Sequence, residues 1–154
     1  MKRFRFQLEP VLGYKLQVLD TQMVELGAIQ AQVRQQEERR DAAYAYLAEH
    51  NAEYIQKTRE GITVVEAMGY QTSLKVLEQR AKQEDKLLEQ LRAKAEAKRL
   101  QVIETRKDKH SLEKLKDLRR GEYDQAAAKA EEKFLDDLTA ARRSAVQRES
   151  MIQV

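Results

Sequence analysis

Apolar residues recur along the first third of this chain at alternating steps of three and four. From Leu12 the steps fall on Leu12, Leu16, Leu19, Met23, Leu26, Gln30, Val33, Glu37, Arg40, Tyr44, Leu47, Asn51 and Tyr54, and nine of these thirteen positions are apolar. Charged and amide residues fill the faces between them. A seven-residue hydrophobic period held this long predicts a helix that supercoils left-handedly against a partner. Glu9-Pro10 marks its entrance, because proline fits the first helical turn, where its missing N–H costs nothing. The stripe fades at Arg59-Glu60-Gly61. Glycine there is a natural stop, since it accepts a left-handed conformation without a Cβ clash.

Thr63-Val64-Val65-Glu66 matches a capping box, in which the Thr and Glu side chains satisfy two orphan N–H groups reciprocally. One helix therefore ends and another begins around residues 60–63. Gly69, with Thr72 and Ser73 close behind, marks a second weak point. From Tyr70 the rhythm resumes through Leu74, Leu77, Ala81, Glu84, Leu88, Leu91, Ala95, Lys98, Val102, Thr105, Lys109 and Leu112. A hairpin turning near residue 62 pairs positions whose numbers sum to 124 or 125. Leu47 then meets Leu77, Val33 meets Leu91, Met23 meets Val102, Leu12 meets Leu112, and Arg40 meets Glu84. Lys98 and Lys109 face leucines and fit only with stems along the seam and ammonium groups in water.

These patterns predict an all-α fold, a long antiparallel two-helix coiled coil with a C-terminal helical overhang. The chain reads as a single elongated domain over 1–154. Residues 1–9 are expected as a flexible basic arm, about 10–60 as the first helix, about 61–69 as a turn or short helix, and about 70–149 as the second helix. A first helix over 11–58 is about 72 Å long, whereas a second helix started as early as residue 64 reaches about 129 Å. Residues beyond about 113 then lack an intrachain partner. They nevertheless keep Tyr123, Ala127, Ala130, Phe134, Leu138 and Ala141, an eleven-residue rhythm that relaxes left-handed winding. Gly121 is a candidate hinge. An apolar helical stripe with no internal partner calls for another protein.

Composition narrows the function. Five glycines and one proline in 154 residues are too few for an all-β chain. With 36% charged residues and much of the 42% hydrophobic share in alanine, the profile is that of long helices. The absence of cysteine excludes a disulfide scaffold, a thiolate zinc site and a thiol nucleophile. No run approaches the roughly 18 apolar residues of a membrane span. The opening Met-Lys-Arg-Phe-Arg-Phe lacks the apolar core of a signal peptide, so a soluble, cytoplasmic protein is expected.

No catalytic, cofactor-binding or metal-ligating set emerges. The glycines form neither a dinucleotide fingerprint nor a phosphate-cradling loop. Neither His50 nor His110 has a glutamate three residues earlier, as a di-iron bundle requires, and each reads as a solvated helix residue. Arg92 to Arg120 holds eleven Lys/Arg against five Asp/Glu. That stretch admits phosphate tracking, a solvated face, or docking to an acidic protein. Its acids lie at helical pairing distances and it has no aromatic residue to stack on a base, so nucleic acid is not expected as a partner. Phe4, Phe6 and Leu8 alternate like a strand but have no second strand to join. Tyr44, Tyr54 and Tyr70 fall on the seam near the turn, as core residues or as an exposed binding patch.

Three stretches carry a resemblance. Phe4-Arg5-Phe6-Gln7-Leu8-Glu9-Pro10-Val11-Leu12-Gly13-Tyr14 resembles the opening of the flagellar export protein FliJ family. Tyr70 through Leu77-Glu78 resembles the family's segment after the turn. Leu115-Lys116-Asp117-Leu118-Arg119-Arg120-Gly121-Glu122-Tyr123, followed by Glu131-Glu132-Lys133-Phe134-Leu135-Asp136-Asp137, resembles its C-terminal signature, where the family usually carries leucine-aspartate-glutamate.

The resemblance implies an antiparallel coiled coil similar to the central stalk of rotary ATPases. It implies a non-enzymatic component of the flagellar type III export apparatus, without cofactors. The implied partners are the export ATPase hexamer, the export gate membrane protein and export chaperones. The implied location is cytoplasmic, at the inner membrane through those partners. By position, the gate-contacting half near the turn corresponds to Leu47, Tyr54 and Leu77, with His50, Tyr70 and Leu74 beside them. The overhang, with Tyr123, Ala127, Ala130, Phe134 and Leu138, corresponds to the ATPase-facing portion. The alternative is a general coiled-coil adaptor or export chaperone of a related secretion system, gripping clients without affecting ATP turnover.

Overall fold

The computed structural model describes residues 3–152, so the first two residues of the expected arm lie outside the described residues. Two helices, α1 (Glu9–Glu60) and α2 (Val64–Ile152), pack against each other as an antiparallel coiled coil. Gln17–Arg106 form one compact unit, and the described residues of 1–16 and 107–154 form another.

Local chemistry sets the helix ends. The Glu9 N–H donates to the Phe6 carbonyl at 3.3 Å and the Leu12 N–H to the Leu8 carbonyl at 2.9 Å, closing the first turn around Pro10. Glu9 also places negative charge at the positive end of the helix dipole. At the other end the Gly61 N–H donates to the Lys57 carbonyl at 3.0 Å, and Gly61 turns the chain with φ of 99°. The capping box then closes as the sequence predicts. The Glu66 N–H donates to Thr63 Oγ1 at 3.2 Å, and the Thr63 N–H donates to Glu66 Oε2 at 2.9 Å.

The interval expected over 61–69 is therefore shorter, because α2 starts at Val64 and runs through Gly69. Gly121 is helical as well and breaks nothing. A glycine inside a helix costs about 1 kcal/mol relative to alanine, which long flanking segments absorb. Space and conformation separate the glycines. A Cβ at Gly121 meets nothing within 4 Å, whereas Gly61 holds a left-handed φ. Gly121→Ala is expected to raise stability by about 0.5–1 kcal/mol, and Gly61→Ala to lower it by about 1–2 kcal/mol. Urea denaturation of the two variants checks the opposite signs.

In the Gln17–Arg106 unit, every α2 position expected on the seam from Tyr70 to Thr105 is buried or half-buried. Helix α1 follows the expectation at alternate positions and at Glu37, which is half-buried. Leu19, Leu26, Val33, Arg40, Leu47 and Tyr54 lie on the seam, but their companions are Gln22, Ile29, Gln36, Ala43 and His50. Met23 and Tyr44, expected between the helices, are 45% and 40% exposed, while Ile29 is 7% and Gln36 5% exposed. Successive helical positions lie about 100° apart, so the narrow interface of two helices takes one and leaves the next on its edge. Gln36 tolerates the buried place because its amide donates to the Glu84 carbonyl at 3.2 Å and to the Glu84 carboxylate.

The register is close to the one expected. Lys98 pairs with Glu25 and Arg40 with Asp85, so the paired numbers sum to 123 and 125. Arg40 thus meets the neighbour of its expected partner, since Glu84 is taken by Gln36. The Lys98 side chain is 22% exposed, its stem covered and its ammonium group held by Glu25.

In the second unit, Lys15 Nζ lies 2.8 Å from Asp108 and Lys116 Nζ 2.8 Å from Glu9. Phe6 and Leu12 are its buried apolar residues. The lead-in expected as a flexible arm is docked from Phe4 onward. Phe6 is 7% exposed, and the Phe4 ring lies 5.6 Å from that of Tyr123 at 51°. Withdrawing a phenyl ring from water contributes about 1.5–3 kcal/mol, enough to order a short lead-in.

Candidate partner-binding surfaces

The six residues expected near the turn, Leu47, His50, Tyr54, Tyr70, Leu74 and Leu77, are all half-buried along the seam. Their centre is aromatic. The Tyr70 ring lies 5.4 Å from both His50 and Tyr54, and Tyr46 stacks on His50 at 6.4 Å. The Tyr70 hydroxyl donates to Glu53 Oε1 at 3.2 Å. Burial first, and then that hydrogen bond, holds this hydroxyl above the ordinary tyrosine pKa.

His50 is not the solvated residue that the sequence suggested. Its Nδ1 lies 3.6 Å from Glu53 Oε2, and its Nε2 is buried without a hydrogen-bond partner. The i,i+3 spacing to Glu53 and the two flanking rings supply a place for a half-buried imidazole.

His50 and Tyr70 themselves line one groove, with Glu53, Ile62, Glu66 and Gly69, and two more lie beside the cluster. Tyr44, Leu47, Ala48, Asn51, Leu74 and Glu78 line one of about 400 Å³. Leu77 lines another, with Ala43, Tyr46 and Arg80. The structure therefore brings Leu47 and Leu74 to one groove and turns Leu77 to a different one. Tyr44 is both seam edge and surface. Its hydroxyl donates to Asp85, and that bond, with burial second, raises its pKa.

Sequence reasoning missed the exposed apolar residues on the other faces. Tyr46 is 58% exposed, and Val64, Val65 and Met68 at the start of α2 are 77%, 79% and 62% exposed. They lie off the heptad stripe, and only a search for apolar residues on polar faces would have found them.

The second surface is the end of α2. Tyr123 and Ala127 are half-buried, and every residue from 128 to 151 is exposed. Tyr123 is engaged by Phe4, and Lys116 by Glu9. The stretch without an intrachain neighbour thus begins some ten residues later than the expected 113, because the lead-in before α1 extends the packing to Tyr123. Ala130, Phe134 and Leu138 are exposed as expected, Phe134 by 62% and Leu138 by 46%. Leu135, 55% exposed, and Val146, 65% exposed, add apolar surface that lies off the eleven-residue rhythm.

Ion pairs occupy much of the basic stretch. Arg92 bonds Glu37 at 2.8 Å, Arg99 bonds Glu96 at 2.7 Å, and Lys109 lies 3.5 Å from Glu113. The hydrogen bond from Arg99 is the first cause holding the Glu96 carboxyl below its ordinary pKa. Such exposed pairs contribute little to stability, but they compete with phosphate for the same cations. Among the described residues no group of three His, Asp or Glu side chains is placed to hold a metal ion. Among them also, no helix is long and apolar enough to cross a membrane.

A model of the flagellar FliJ protein family matches residues 4–149, a span that takes in α1, the turn and all but the last three residues of α2. No curated protein and no solved structure gives a match.

Proposed function

Because the chain belongs to the flagellar FliJ protein family, and is therefore a component of the flagellar export apparatus, we propose that it acts there as a central-stalk-like coiled coil. In this reading it binds and stimulates the export ATPase hexamer and links that hexamer to the cytoplasmic domain of the export gate. It is non-enzymatic, and nucleotide hydrolysis belongs to the ATPase. It works in the cytoplasm at the flagellar base, held at the inner membrane by its partners, and export chaperones are further clients.

One observation carries the reading. Helix α2 has 89 residues against 52 in α1, and its residues from 128 to 151 are exposed. A helix that outruns its mate offers a partner a continuous surface along its exposed run. The ATPase engages that end through Ala127, Ala130, Phe134 and Leu138, beside Tyr123. The gate engages the half near the turn, where Leu47 and Leu74 share a groove with Tyr44, and where His50, Tyr54, Tyr70 and Leu77 form the seam beneath.

The test is a titration of the protein into the purified export ATPase, following ATP turnover and hexamer formation together. Both are expected to rise and saturate. Turnover that stays flat through saturation contradicts the stalk role, and client capture without a change in turnover fits a general adaptor instead.

A further inference from the structure

The exposed end of α2 carries its charge asymmetrically. Glu122–Asp137 contain six acidic residues (Glu122, Asp124, Glu131, Glu132, Asp136 and Asp137) against two bases, Lys129 and Lys133. Leu138–Met151 contain three arginines (Arg142, Arg143 and Arg148) against one acid, Glu149. The acidic half and the basic half adjoin at the most apolar point of the segment, where Phe134, Leu135 and Leu138 are exposed by 62%, 55% and 46%. A helix with this layout complements a copy of itself running the other way.

We propose that this segment pairs antiparallel with the same segment of a second copy of this chain, about a two-fold axis near Asp136. The eleven-residue rhythm fixes the register. Placing Phe134 against Leu138 of the second copy also places Ala127 against Ala145 and Ala130 against Ala141, with both symmetry-related contacts made at once. The alanines let the backbones approach closely on either side of the central phenyl and leucine layers. Leu135, on the flank, meets its own equivalent across the axis. Glu131 and Arg142 are exposed, lie on the same flank one hendecad apart, and form an interchain ion pair twice per dimer. A parallel pairing instead sets acid beside acid over the first half and arginine beside arginine over the second, which is repulsive. The same stripe is the one assigned to the ATPase above. To the extent that assignment holds, self-pairing closes the surface until the ATPase displaces the second copy.

The experiment uses the full chain alone, so its outcome does not depend on the ATPase assignment. Sedimentation equilibrium is expected to show a concentration-dependent rise from 18.0 kDa toward twice that mass. Glu131→Arg and Arg142→Glu are each expected to weaken association at least tenfold, and the double exchange to restore it. The chain has no native cysteine, so single cysteines report the direction of pairing. With a short bismaleimide, Leu135→Cys links to itself, whereas Val146→Cys does not, its equivalent lying about 30 Å away along the helices. A chain that stays monomeric at about 200 µM, well above the dissociation constant expected of a seam this long, overturns the proposal. So does self-association indifferent to both charge reversals, or Val146→Cys linking as readily as Leu135→Cys.

Discussion

Leu88→Ala is expected to lower the unfolding free energy by about 2–4 kcal/mol, through lost transfer energy and the cavity left behind. No other large side chain of the described residues is so fully enclosed, at 2% exposure. It sits on α2 between Ala81, fully buried one heptad earlier, and Ala95, half-buried one heptad later. Alanine neighbours cannot expand to fill the gap. A two-helix seam has no second layer behind it either, so a large fraction of the unit's apolar burial rests on this residue. Leu100→Ala, at a position 52% exposed, is the matched control and is expected to stay within about 0.5 kcal/mol of the parent. Urea denaturation of both variants measures the contrast. Equal and small losses would mean that the helices meet along another face.

Ending the chain after Asp124 is expected to return ATPase turnover to its unstimulated level while leaving the coiled coil folded and gate binding intact. The cut lies beyond Tyr123, so the contact with Phe4 and the ion pair of Lys116 with Glu9 survive. It removes the whole exposed run from 128 onward. Circular dichroism and thermal melting check the fold, a turnover assay checks the ATPase, and a pull-down with the gate's cytoplasmic domain checks the half near the turn. Full stimulation by the shortened chain would move the ATPase contact to the coiled coil itself.

The two helices differ in how openly the sequence declares them. On α2 the steps from Tyr70 to Leu112 coincide with the buried and half-buried positions throughout. On α1 the apolar residues Leu16, Met23 and Tyr44 draw the eye to one edge of the stripe. The polar Gln22, Gln36 and His50 occupy the seam itself, each carrying enough hydrocarbon or aromatic surface to line a narrow interface. A pattern read from hydrophobicity alone cannot prefer glutamine over methionine. The capping box was legible because its two side chains can serve little else. Gly69 and Gly121 misled because a glycine weakens a helix without ending it unless the backbone also turns left-handed, as it does at Gly61.

The candidate surfaces were legible in proportion to their regularity. The stripe at the end of α2 follows a period and could be read. The cluster around His50 depends on which rings come together across two helices, and only the register decides that. Tyr46, Val64, Val65 and Met68 follow no period at all.

The three-residue bend between α1 and α2 has a kinetic side. Tyr70 and Glu53, beside it, are 17 residues apart in sequence, Lys98 and Glu25 are 73 apart, and Lys116 and Glu9 are 107 apart. Bringing the distant pairs together first would require closing a very long loop, whereas each turn zipped outward from the bend inherits a loop already closed. Assembly is therefore expected to start at the aromatic cluster beside the bend and to travel outward from it.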